Sequence, residues 1–159
     1  METKWNSISN SDSVVPSINF FPEDIQFNLK KKNAIKKWIR STILAENQKL
    51  NELTFIFCSD EYLLNINKSY LNHDTYTDIV TFDNSEKPGF LTGDIFISID
   101  RIRDNAKKFK VSEVDELHRV MIHGVLHLLG YSDKTKAAKV KMTGKEDEYL
   151  KKRVFTTAP

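Results

Sequence analysis

Two of the chain's four histidines, His123 and His127, stand four residues apart in the run HGVLHLLGYSD (123–133). A helix places residues i and i+4 on one face, a turn apart. The two imidazoles can then aim their nitrogens at one point, and neutral imidazole is the commonest metal ligand. The other reading is a buried helix whose histidines are satisfied core residues, since histidine is intermediate in burial; each ring would then need a buried hydrogen-bond partner. Gly124, beside the first histidine, weakens a helix and lets backbone or ligand approach closely. Past Gly130 and Tyr131 comes Asp133, a carboxylate able to fold back toward the helix end, or else a plain turn residue of YSDK. Two histidine nitrogens and one carboxylate oxygen, with a fourth position open, form a pattern of catalytic zinc. The expectation is one Zn²⁺, or another divalent ion, held by His123, His127 and Asp133. A protease of the H-E-x-x-H type is not expected, because its general base would stand at position 124, which is glycine.

The elements that must carry these residues follow from patterning. Val114 to Leu129 reads as a strongly apolar helix ending at Gly130, a good residue just past a helix. SINFF (17–21), ELTFIFC (52–58), DIVTF (78–82) and GDIFISI (93–99) read as strands, with Pro88-Gly89 turn chemistry between the last two. Helical patterns span Leu29 to Glu46, Asp60 to Tyr70 behind an N-cap at Ser59, Ile99 to Phe109, and Lys136 to Lys152 despite Gly144. The order predicts an α/β (α+β) domain: a small mixed sheet of about four strands packed with about five helices, the metal-site helix at its centre.

With 159 residues the chain fits one domain, and its 40% hydrophobic and 29% charged content is that of a soluble globular protein. A flexible segment is expected over 1–16, a hydrolase domain over 17–153 and a short tail over 154–159. Cys58 is the single cysteine, so no internal disulfide forms and a reducing, cytoplasmic setting is expected. The start has no apolar run of signal-peptide length, and no stretch is apolar enough to span a membrane. A net charge of +2 argues for no polyanionic partner by itself. The charge is clustered, however: Lys30 to Lys32, Lys36, Lys37 and Arg40 form one group, and Arg101, Arg103, Lys107, Lys108 and Lys110 another. Such faces are either merely solvated or a track for a phosphate backbone. Each includes one aromatic, Trp38 or Phe109, too few for a stacking track, so base stacking on single strands is not expected from them.

The HGVLHLLGY run resembles the H-G-x-L-H-L-x-G-Y signature of the YbeY family, rRNA maturation factors regarded as metal-dependent endoribonucleases. TDIVTF (77–82) is similar to that family's T-D-V-L-S-F segment, GDIFIS (93–98) to its G-D-I-x-I-S strand, and ELHRVMIHGVLHLLGY (116–131) to its motif helix. Met142 and Glu146 stand where its closing helix often has Met and Glu. The resemblance covers about residues 50 to 150 and implies a zinc-dependent, single-strand endoribonuclease in rRNA maturation and ribosome quality control. Its partners would be rRNA precursors and the ribosome. Two other functions remain open: a non-catalytic ribosome-assembly factor with a structural metal, and a metal hydrolase of another substrate. The chain departs from the family pattern twice. Asp133 stands where a third histidine is usual, which lowers the charge of a zinc site by one unit. Leu71 stands where many members carry an arginine suited to a phosphate, and the nearby His73 reads as a solvated loop residue. Asp78 and Asp94 either orient the histidine rings as hydrogen-bond acceptors or serve as capping and turn residues.

Overall fold

KLNELTFIFC is rich in β-branched and aromatic residues, and it forms the longest strand of the sheet. The computed structural model describes residues 15–155; most of the N-terminal segment and the end of the tail lie outside these. Four strands, β1 (Ser17–Pro22), β2 (Lys49–Cys58), β3 (Ile79–Asp83) and β4 (Phe90–Ser98), lie in the order β1-β2-β4-β3. The first three in that order run parallel, and β3 pairs antiparallel with β4. Five helices accompany them: α1 (Lys32–Ala45), α2 (Asp60–Leu71), α3 (Ile99–Phe109), α4 (Glu113–Leu128) and α5 (Lys136–Lys151). The mixed sheet of four strands with five helices is the α+β architecture read from the sequence.

Serine and threonine begin four of these helices. Ser59, Ser98, Ser112 and Thr135 each accept the amide N–H three residues on, satisfying a donor the helix cannot. The first helix starts later than the expected Leu29, because Lys31 adopts left-handed φ of 58° and so stands outside it. Gly144 does not interrupt α5; nothing stands within 4 Å of the Cβ it lacks.

One sheet face carries the main core. Leu53, Phe55, Leu91, Ile95 and Ile97 point from it against Ile35, Ile39 and Ile43 of α1 and Met121, Ile122, Val125 and Leu126 of α4, all essentially inaccessible. On the other face α2 covers only the β3–β4 side, through Leu63, Val80, Phe82 and Phe96. Cys58 is buried in this smaller cluster, where burial and then the charge of Asp24 push its thiol up to about 12, out of reach of ordinary thiol chemistry. Among the described residues no helix is long and apolar enough to cross a membrane.

Candidate metal centre

Helix α4 lies across β3 and β4 at very short range. A Cβ at Gly124 would meet Ile79 Cδ1 at 2.8 Å and Ile95 Cγ2 at 3.0 Å, and one on Gly93 of β4 would meet Leu128 Cδ1 at 2.8 Å. The close approach that Gly124 permits is therefore to the sheet rather than to a ligand. It fixes the depth of the helix and leaves the neighbouring His123 about one-fifth exposed, with His127 one turn on.

The chain then reverses. The Tyr131 N–H bonds to Leu126 O at 3.0 Å and the Gly130 N–H to His127 O at 3.0 Å. Gly130, with φ of 110°, takes the left-handed position of this Schellman-type end. The turn brings Asp133 back over the histidines: its Oδ2 lies 3.4 Å from His123 Nε2 and 3.3 Å from His127 Nε2. All three donor atoms lie within 4.8 Å of one another. Donors on a tetrahedral zinc with bonds of about 2.0–2.2 Å stand roughly 3.3–3.6 Å apart, so the two nitrogen–oxygen spacings match the edges of such a site. The donor set, two imidazoles and a carboxylate, suits zinc and other borderline divalent ions. The three residues read from the sequence are brought together.

The outer ring nitrogens are also set. His127 Nδ1 lies 3.0 Å from the Tyr131 carbonyl oxygen, which can only accept, so Nδ1 is the donor there and Nε2 is the atom that faces Asp133. His123 Nδ1 donates to Glu146 Oε2 of α5 at 2.6 Å. Glu146 is itself buried and held from the other side by Arg119 Nη1 at 2.7 Å, while Arg119 Nη2 reaches Asp147 at 2.7 Å. Burial alone would push the His123 ring down, but the Glu146 hydrogen bond, then the charges of Glu146, Asp133 and Asp78, hold it above its ordinary value. The orienting groups are thus Glu146 and a backbone carbonyl. Asp94 lies in the middle of β4, so it is neither a cap nor a turn residue, and it accepts from Asn84, just past the end of β3, at 3.1 Å. Asp78 is largely buried where its charge acts on His123, and burial raises its carboxyl. Glu116, buried beside it, is raised by burial and then by the charge of Asp78.

A second layer fixes the turn. The Tyr131 hydroxyl donates to Glu46 Oε1 at 2.7 Å, and Glu46, at the end of α1, also receives Tyr149 and Lys145. These bonds hold the Glu46 carboxyl below its ordinary value, against burial, which pushes it up. Sequence reasoning missed Arg119 and Glu46, and it noted Glu146 without a role. Only the pairing of α4 with α5 and α1, invisible in local spacing, gives these residues their partners. Leu71 and His73 stand exposed at the end of α2 and past it, with no contact to the cluster among the described bonds.

A family model described as Endoribonuclease YbeY matches residues 18–153. The chain belongs to the YbeY family. Proteins named Endoribonuclease YbeY resemble it over most of their length. That of Cytophaga hutchinsonii is 52% identical over 139 residues, 87% of this chain and 97% of the relative. That of Karelsulcia muelleri is 53% identical over 133 residues, 84% and 93% of the two chains. A solution structure of a Thermotoga maritima protein shares the fold with a TM-score of 0.58 and 24% identity, over 86% of this chain and 91% of that one. The YbeY match runs through every element that positions the three donors.

Proposed function

We propose that this protein is a metal-dependent endoribonuclease that cuts single-stranded RNA in rRNA maturation and ribosome quality control, with His123, His127 and Asp133 as the ligands of one zinc ion. The observation that carries the reading is the convergence of both Nε2 atoms on one Asp133 oxygen at tetrahedral-edge spacing. Membership of the YbeY family, whose relatives are named endoribonucleases, supports RNA as the substrate. A bound divalent ion supplies Lewis acidity, polarising a phosphoryl oxygen and easing deprotonation of water. The chain's own residues do the positioning. Glu146 and the Tyr131 carbonyl keep the ring protons on Nδ1, so both Nε2 lone pairs stay turned inward. Arg119 compensates the buried Glu146 charge. Among the described residues the cluster has three donors, which leaves room for a ligand that is not protein and favours an enzyme over a factor with a structural metal. The hydrolase domain is taken as 17–153, working in the cytoplasm on rRNA precursors or the ribosome.

The test is cleavage of single-stranded RNA by purified protein. Cutting is expected to stop on chelation, return with zinc or another divalent ion, and be lost in His123→Ala. A single 2′-deoxy sugar at the scissile position separates two routes, since continued cutting excludes attack by the neighbouring 2′-hydroxyl. Cleavage that survives His123→Ala at the parent rate would remove the enzymatic reading.

A further inference from the structure

Residues 68–76, the end of α2 and the connection to β3, are all exposed, yet the connection is built rather than loose. Asn67, buried, donates to Thr75 O at 2.9 Å and accepts the His73 N–H on its backbone oxygen at 3.1 Å. The Tyr76 hydroxyl donates to Glu61 Oε2 at 2.6 Å, which pins the ring. The guanidinium of Arg101 lies against that ring, its Cζ 5.7 Å from the centroid, and is itself held by Asp60 at 2.7 Å. A pinned aromatic ring backed by a cation is nonetheless about half exposed, at 51%. Three residues further on, Ile79 packs on Gly124, next to His123. Three residues of chain span at most about 11 Å, so Tyr76 lies within that distance of the residue that packs on the helix carrying His123.

The basic run on α3, whose own aromatic is Phe109 at the helix end, thus gains a second one in space. Arg101 and Arg103 are both partly engaged by carboxylates, Asp60 and Glu113, so the α3 face is less of a bare phosphate track than its composition implies. What the fold offers here is a rigid π-surface beside positive charge, the combination that holds unpaired bases by stacking with little regard to sequence. A ring held at its hydroxyl and backed by a guanidinium loses little freedom when a base covers its open face.

We propose that Tyr76, pinned by Glu61 and backed by Arg101, is a stacking platform for an unpaired nucleobase of RNA lying across the metal centre, and so helps select single strands. The inference rests on the reading of the protein as an RNA enzyme. It assigns to Tyr76 part of the substrate contact that Leu71, apolar at the end of α2, does not provide.

The probe is a single-stranded RNA oligonucleotide carrying one 2-aminopurine, titrated with the full chain in excess chelator so that binding is read without cutting. The parent protein is expected to quench the base on binding. Tyr76→Phe keeps the ring and should bind within about twofold of the parent. Tyr76→Leu and Tyr76→Ala should bind about tenfold or more weakly, with the quench lost, the scale of one base–aromatic stack. Their salt dependence should be unchanged, because no cation is removed, and duplex RNA of equal length should bind as before. Thermal unfolding of the half-exposed variants checks that each is folded. Parent-like single-strand affinity in Leu and Ala variants, an equal loss on duplex, or a Phe variant as weak as Ala would each overturn the platform. If those results came with metal-dependent cutting intact, the endoribonuclease reading would stand without it. A parent protein that neither binds nor cuts single-stranded RNA would remove both.

Discussion

Glu146 concentrates the residue-scale chemistry, because one buried carboxylate serves both His123 and Arg119. Glu146→Gln keeps the shape and removes the charge. We expect metal affinity to fall about 10–100-fold, the usual cost of losing an orienting partner, with the helix content intact. Competition with a chromogenic chelator measures it, and parent-like affinity would show that the ring orients without Glu146. The raised His123 value has a pH consequence. A ring protonated in the metal-free site must lose that proton to bind metal, so apparent affinity should begin to fall, as pH drops, already above the ordinary histidine value. The same titration at several pH values reads this, and a flat profile would contradict it. Asp133→His removes one negative charge from the donor set, so the acidic limb of the pH–rate profile should move to lower pH; an upward shift would count against Asp133 as a ligand. The three donors were legible in the sequence because they are local, a one-turn repeat and a turn. Glu146 was not, since its link to His123 exists only once α5 packs on α4.

Two glycines and a tyrosine hold the elements around the site. Gly130 adopts φ of 110°, which a residue with a Cβ reaches only with strain, although nothing crowds the missing atom. Gly130→Ala should therefore cost about 1–3 kcal/mol in chemical denaturation and loosen Asp133 from the histidines, lowering metal affinity as well. A stability loss with unchanged affinity would separate the turn from the site. At Gly124 the obstacle is crowding by Ile79 and the fully buried Ile95, so Gly124→Val should lift the helix from the sheet and destabilise by about 1–3 kcal/mol. The elements themselves were largely readable: four strands and five helices stand within a few residues of their expected bounds, because alternation, apolar faces and serine or threonine caps are local signals. The late start of α1 was not, since nothing in KKKN announces the left-handed Lys31. Nor was the tie from Tyr131 to Glu46, which joins the turn to the end of a helix distant in sequence.

At the scale of the whole molecule, acid sensitivity and RNA attraction should both follow from where charges sit. His118, buried among Trp38 and Phe155, accepts from Arg153 at 2.7 Å, and burial followed by that positive charge lowers its pKa to about 4. Between the ordinary histidine value and about 4 the unfolded chain binds a proton that the folded chain refuses. Stability should therefore fall as pH drops through that window, by up to about 3 kcal/mol from this group. His118→Phe should flatten that part of the thermal-stability profile relative to the parent; parallel profiles would contradict it. The exposed cations of α1 and of Lys107, Lys108 and Lys110 remain available for RNA backbone. Replacing Lys36, Lys37 and Arg40 together should weaken binding across sequences and flatten its salt slope. Catalysis, in contrast, depends on a single metal centre. Calorimetric titration of zinc into metal-free protein, for the parent and for His123→Ala, His127→Ala and Asp133→Ala, tests that claim most directly. The account predicts one ion per chain in the parent and strongly weakened binding in all three folded variants; parent-like one-to-one binding in any of them would contradict the three-donor centre.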